Sequence, residues 1–188
     1  SYAAAANSPH LEIFKQKDVE VLLLIDRVDE WLESHFTEYQ GKHLQSVAKG
    51  ELDLGELEDK DKEEQEKVAE EHKGMVERIQ NALGEAVKEV RISKRLTESP
   101  ACLVVGDYDM SANLQRVFAQ LGQDAPNTKP ILEVNPTHPL VLKMDQEPDE
   151  DLYVDLAKIL FDQALLAEGG QLDDPAAFVR RLNKLMLS

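Results

Sequence analysis

Five histidines, one cysteine and a dense run of carboxylates are the side chains in this sequence that could hold a metal or attack a substrate. The histidines, His10, His35, His43, His72 and His138, share no metal-ligand spacing, and no H-E-x-x-H occurs. His72 falls on the apolar stripe of a helix, where a hydrogen-bonded core histidine is expected in preference to a ligand. Cys102 sits in a strand between Ala101 and Leu103 with no base beside it, so it reads as a small buried apolar group and not as a nucleophile. Glu63, Glu64, Glu66, Glu70 and Glu71 read as a solvated helix face, because a calcium loop needs a glycine turn and alternating oxygen ligands that this run lacks. There is no glycine-rich phosphate loop and no G-x-S-x-G. No catalytic residue, no metal ligand and no cofactor is therefore assigned to these residues.

Binding chemistry is better represented. Met110, Leu114, Val117, Phe118 and Leu121 recur on one side of a predicted helix from Asp109 to Leu121. Two readings stay open on the residues alone: packing onto a sheet, or an exposed apolar helix that grips other proteins. Methionine suits the second, since a flexible thioether adapts to varied surfaces. Trp31, the only tryptophan, reads as a core residue or as part of a binding site.

The end of the chain is the most apolar helical stretch. A helix over Asp151 to Glu168 places Leu152, Leu156, Ile159, Leu160, Gln163 and Ala164 at helical spacing, and Leu165, Leu166 and Ala167 widen the stripe. Gly169 and Gly170 stop it, and Asp174 with Pro175 starts another helix carrying Phe178, Val179, Leu182, Leu185, Met186 and Leu187. A terminal helix this apolar frays unless something covers it. The same pair of helices from a second copy is the simplest cover, giving a two-fold four-helix bundle. The expected dimer residues are Leu156, Ile159, Leu160, Gln163, Leu166, Phe178, Leu182, Leu185 and Met186.

The elements between set the frame. With 188 residues, 42% hydrophobic and 31% charged, the chain is large enough for one large or two small folded domains. A formal charge of -16 makes nucleic acid and anionic membrane poor partners, and no apolar run is long enough to span a bilayer. One cysteine excludes an internal disulfide and fits a reducing compartment. Ser1 enters structured-looking sequence with neither an initiator methionine nor a signal peptide, which reads as a piece of a larger protein. Ser8-Pro9 opens a short helix to Lys17. Val19 to Ile25 is predicted as a buried parallel strand, Asp26 to Phe36 as a helix and Leu44 to Ala48 as a second strand. Gly50 to Lys62 reads as a linker. A long helix follows from about Glu63, with Val68, His72, Met75, Val76, Ile79, Ala82 and Leu83 on one stripe and Gly84 closing it. Strands are predicted at Val87 to Ser93, Ala101 to Val105 and Pro130 to Val134, and a short helix from Thr137-His138-Pro139 to Met144.

Five separated strings carry a family likeness. NSPHLE (Asn7 to Glu12), VEVLLLIDRVDEW (Val19 to Trp31), RLTESPACLV (Arg95 to Val104), LEVNPTHPLV (Leu132 to Val141) and FDQALLAEGGQLDDPAAFVRRLNKLMLS (Phe161 to Ser188) stand in the order found in the heat-shock protein 90 chaperones. The chain resembles the bacterial type of that family over nearly its whole length, with Gly50 to Lys73 least alike. The resemblance implies an α+β fold. Residues 1–49 would be a small α/β tail of the middle domain. Residues 50–188 would be the C-terminal dimerisation domain, with a long helix, a three-stranded sheet and a helical dimerisation bundle. It further implies that Met110, Leu114, Val117 and Phe118 contact client proteins, with Glu30 and Trp31 at the edge of the client cleft. Leu114 and Val117 stand where the relatives have Met and Leu, so apolar character is kept while shape is not; Ser34 stands where they have Asn, which weakens a polar contact carried over to that position.

The function implied is that of a cytoplasmic, homodimeric, ATP-dependent chaperone of protein folding and the stress response. ATP and magnesium would belong to an N-terminal domain outside this sequence, so this piece by itself would be no enzyme. Its expected partners are a second copy, unfolded or partly folded clients and a heat-shock protein 70-type co-chaperone. The ending Leu185-Met186-Leu187-Ser188 differs from the acidic Met-Glu-Glu-Val-Asp tail of eukaryotic cytosolic relatives, so recruitment through such a tail is not expected. Two rival classes are a stand-alone helical dimerising adaptor without a client cleft, and an α/β enzyme built on Val19 to Trp31. Against the enzyme stands Asp26-Arg27-Val28, which enters a helix directly where an open α/β sheet would need a ligand-binding loop.

Overall fold

In a computed structural model of the chain, residues 2–26, 28–29, 32, 35–52, 62–106, 109 and 128–187 are described, the side chains of 62–66 excepted. The architecture is mixed helix and sheet. Helix α1 (Tyr2–Ala6) leads into a 3-10 turn at Pro9–Leu11 and α2 (Glu12–Gln16). Ser8 caps the turn by accepting from the His10 N–H, as the Ser-Pro pair predicts.

Two expectations for the next segment are overturned. Val19 to Ile25 is not a buried strand: it has no ladder partner among the described residues, and Leu22, Leu24 and Ile25 are exposed. Leu44 to Ala48 is not a strand either. The chain instead turns back on itself as a hairpin of β1 (Glu38–Tyr39) and β2 (Lys42–His43), with Tyr39 opposite Lys42. Gln40 and Gly41 both have positive φ, 50° and 78°, the combination a two-residue hairpin loop needs. Of the residues expected to pair with Val19 to Ile25, only Leu44 joins this hairpin, its N–H donating to Thr37 O at 2.9 Å. Asp29, Leu32 and His35 are helical, and Leu32 and Phe36 donate to carbonyls four residues back, so a helix stands within the Asp26 to Phe36 expected.

The predicted long helix is two helices, α3 (Lys62–Glu71) and α4 (Lys73–Leu83), joined at His72. His72 is half-buried at that joint and not in the core. Met75, Ile79 and Leu83 form the buried stripe, and α4 ends at Gly84. Strands β3 (Glu89–Ile92), β4 (Ala101–Val104) and β5 (Ile131–Val134) follow, close to their predicted positions. They form one sheet in the order β3-β5-β4, parallel between β3 and β5 and antiparallel between β4 and β5. Helices α5 (Pro139–Asp145), α6 (Glu150–Ala167) and α7 (Pro175–Leu187) complete the chain.

Alternation sorts the sheet into two faces. Val90, Ala101, Leu103, Leu132 and Val134 face Met75, Ile79 and Leu83 of α4, Val141 and Met144 of α5, and Tyr153, Ala157, Leu160 and Ala164 of α6. This is the main core. The opposite face carries a smaller cluster of Leu96, Cys102, Val104 and Ile131. Burial there pushes the Cys102 thiol well above its ordinary value, as fits an inert apolar role. Glu133 is also on that face, and the chain before residue 53 covers part of it.

Candidate functional site

The α6–α7 hairpin is written into its capping residues. Asp149 Oδ1 accepts from Asp151 N at 2.9 Å and Leu152 N at 3.1 Å, starting α6. At the other end Gly169 takes φ 71°, with Gly169 N donating to Leu166 O and Gly170 N to Leu165 O, a Schellman closure. A Cβ on Gly170 would lie 2.8 Å from Leu165 O, so the second glycine is a requirement of that closure too. Asp174 Oδ1 then accepts from Ala177 N at 2.9 Å and Pro175 opens α7.

The two helices differ in what they bury. On α6, Tyr153, Ala157, Leu160 and Ala164 lie at i, i+4, i+7 and i+11 and enter the core. Arg78 stacks on the Tyr153 ring at 3.6 Å, and burial pushes the Tyr153 hydroxyl up to about 12. Helix α7 has no buried residue at all, although much of it is apolar. Phe178, Leu182 and Leu185 are half-buried, Val179 is exposed, and Met186 and Leu187 are 76% and 89% exposed. Leu166 at the end of α6 is exposed as well.

Of the dimer residues expected from the sequence, Leu160 belongs to the chain's own core, and Ile159 is 4% exposed. The sequence stripe merged two faces of α6, because Leu160 continues the inward row of Tyr153 and Ala157. Leu156 is half-buried against that core, while Gln163, Leu166 and Met186 are exposed. The expected client-contacting residues Glu30, Trp31, Met110, Leu114, Val117 and Phe118 lie outside the described residues.

Ionic contacts that the sequence reading did not pick out fix this hairpin and the first segment to the sheet. Arg181 Nη1 donates to Asp162 Oδ2 at 3.3 Å, and its Nε lies 3.8 Å from Asp155 Oδ1. Lys184 Nζ donates to Asp155 Oδ2 at 2.7 Å. Burial raises the Asp162 carboxyl, against the lowering effect of Arg181. Glu133, 3% exposed, takes Arg91 Nη2 at 2.8 Å, Arg95 Nε at 2.8 Å and the Ser93 hydroxyl at 2.9 Å. Arg95 is fully buried and also donates to the Val47 and Gly50 carbonyls. Gly50 N in turn donates to Val105 O, so residues 47–50 lie along the β4 edge of the sheet. Near α2, the Glu12 carboxylate accepts from the backbone N–H groups of Thr97, Glu98 and Ser99. His10 Nε2 approaches Glu168 Oε1 to 2.9 Å, without hydrogen-bond alignment. A signal for the hairpin pairs was present: Asp155 and Asp162 are two turns apart on one helix, and Arg181 and Lys184 one turn apart on the next.

Among the described residues, no group of three or more His, Cys, Asp or Glu is placed to hold a metal ion. No described helix is long and apolar enough to cross a membrane. What the geometry offers is an apolar, partly polar-strapped surface on a rigid base.

Comparison with known proteins bears on what that surface belongs to. The family model described as Hsp90 protein matches residues 1–188. The chain belongs to the Hsp90 protein family. Among curated relatives of this Hsp90 chain, the chaperone protein HtpG of Nitrosospira multiformis is 61% identical over the whole chain, which covers 29% of that protein. HtpG of Chromobacterium violaceum is 61% identical over 98% of the chain and 30% of its own length. HtpG of Nitrosococcus oceani is 55% identical over the whole chain and 30% of its own length. The Hsp90 chain thus spans about 30% of the length of the curated relatives it matches.

Proposed function

We propose that this chain is the dimerisation and client-binding region of an ATP-dependent, cytoplasmic chaperone, with residues 1–49 ending the middle domain and 50–188 forming the C-terminal domain. The observation that carries the dimer is α7: a thirteen-residue helix with no buried side chain and with Val179, Met186 and Leu187 exposed. Leaving several large apolar side chains in water forgoes roughly 1.5–3 kcal/mol each relative to burial. A second α6–α7 hairpin, related by a two-fold axis, offers a matching apolar surface. Leu156, Ile159, Leu160, Gln163, Leu166, Phe178, Leu182, Leu185 and Met186 are the interface and its immediate support. Membership of the Hsp90 family and the HtpG name of the relatives support the chaperone reading.

Client binding is assigned to Met110, Leu114, Val117 and Phe118, with Glu30 and Trp31 beside them. Its support is the apolar period of that segment and the family resemblance. ATP and magnesium belong, on this reading, to a part of the protein outside this chain. A heat-shock protein 70-type co-chaperone is a further partner.

Two measurements test the proposal. Sedimentation at tens of micromolar should give a dimer; a monomer there defeats the interface. Met110→Ser with Phe118→Ser should abolish binding of an unfolded protein while leaving the dimer and the unfolding midpoint unchanged. Unchanged client binding would favour the adaptor reading, in which the chain dimerises without a client surface.

A further inference from the structure

We infer that Arg181, with Lys184, is the positioning residue that fixes the angle of α7 on α6 before a second copy docks. The inference rests on the proposed dimer and concerns how its surface is assembled. Helix α7 has no side chain locked into the core, so packing alone leaves its orientation weakly defined. The polar contacts are better defined than the apolar ones. Asp155 and Asp162 stand seven residues apart, two turns along one side of α6. The guanidinium of Arg181 lies between them, with Nη1 3.3 Å from Asp162 Oδ2 and Nε 3.8 Å from Asp155 Oδ1. Lys184, one turn further along α7, takes the other Asp155 oxygen at 2.7 Å. Asp173 and Lys158 act on Asp162 with opposite signs, the first raising its carboxyl and the second lowering it.

These groups are not a loose surface pair. Arg181, Asp155 and Asp162 are each about three-quarters or more covered, at 26%, 23% and 18% side-chain exposure. Arg181 hydrogen-bonds Asp162 through Nη1 and meets Asp155 as an ion pair with Nε 3.8 Å away, so its extended guanidinium spans two points along α6 that a compact ammonium spans less well. Isolated exposed ion pairs contribute little, but a half-buried network with fixed geometry contributes more. The gain appears in association: a docked hairpin presents its apolar stripe ready-made, and binding then spends less on ordering. Because both partners must be docked, the apparent dissociation constant scales as the inverse square of the docked fraction.

The test uses the intact protein and its dimer dissociation constant by sedimentation. Arg181→Gln, lowering the docked fraction to about one third, should weaken the dimer about tenfold at low salt. Comparison with wild type at each salt concentration removes the general effect of salt on two chains each carrying -16. The ratio of the two constants should fall as sodium chloride is added but stay above one near about 1 M, because partly covered pairs are screened less than exposed ones. Arg181→Lys should be intermediate. Inverting all four charges, Asp155→Lys, Asp162→Lys, Arg181→Glu and Lys184→Glu, keeps the net charge and should bring the dimer back to about the level of Arg181→Lys, since the ion pairs return without the guanidinium, and a purely packing role for these side chains would not allow that. Hydrogen exchange of α7 amides in dilute monomer should speed up in Arg181→Gln. A dimer indifferent to Arg181→Gln, or an inversion that leaves the dimer as weak as Arg181→Gln, overturns this inference alone. A wild-type protein that stays monomeric overturns it together with the dimer.

Discussion

Glu12 shows how much one side chain can organise. Three successive N–H groups, of Thr97, Glu98 and Ser99, converge on its carboxylate at 2.7, 2.7 and 3.1 Å, with the Ser99 hydroxyl as a fourth donor. Burial raises its carboxyl, but the bonds from Ser99, Glu98 and Thr97 together outweigh that and hold it below the ordinary 4.5. A carboxylate depressed in the folded state stabilises the fold above its unfolded value, and that contribution is lost as pH falls through the folded one. Glu12→Gln should therefore cost about 1–2 kcal/mol near neutral pH, a figure discounted for partial exposure. Thermal unfolding of both proteins as pH is lowered through 4.5 should show the wild-type advantage shrinking. Arg95 is a harsher case. Arg95→Met removes one of the two guanidiniums on the buried Glu133 and the donor to Val47 O, which is half-buried. Breaking a buried charge network costs about 3–5 kcal/mol, measurable by urea unfolding.

At the scale of elements, caps and periodic stripes were legible, and pairing was not. The end of α6 and the start of α7 followed from the glycine pair and Asp174-Pro175, because these residues act on their own neighbours, while the Asp149 cap that starts α6 was not picked out. The three strands and α4 followed from apolar rows. The strand expected at Val19 to Ile25 failed because a strand exists only with a partner, and local sequence names none. The hairpin at Gln40-Gly41 was missed because glutamine is an uncommon first residue for such a turn. The α6 stripe was read as one face when it serves two, since Ile159, Gln163 and Leu166 lie only about 100° round the helix from the inward row of Leu160 and Ala164. That distinction is measurable. Leu160→Ala empties core volume and should cost about 2–5 kcal/mol at any protein concentration. Leu182→Ala, on half-buried α7, should mainly lower the concentration-dependent part of the midpoint, which only a subunit contact supplies.

For the whole molecule, the proposed dimer changes what weak client contacts can achieve. The anchors assigned to Met110, Leu114, Val117 and Phe118 would each contribute roughly 1.5–3 kcal/mol if fully buried by a client. After ordering costs, that leaves loose binding by a single chain. Joining two such surfaces through α7 makes the second contact intramolecular, at an effective concentration set by the span between them. A long unfolded client that reaches both surfaces gains from this, and a short apolar peptide does not. Val179→Asp with Met186→Asp puts two charges on the exposed side of α7 and should yield a folded monomer, because neither residue is in the core. That monomer should bind a short peptide as wild type does, yet hold a long unfolded protein at least about a hundredfold more weakly. Equal losses for both ligands would mean that the surface itself had been damaged. No loss for either would mean that each chain holds its client alone and that dimerisation serves another purpose.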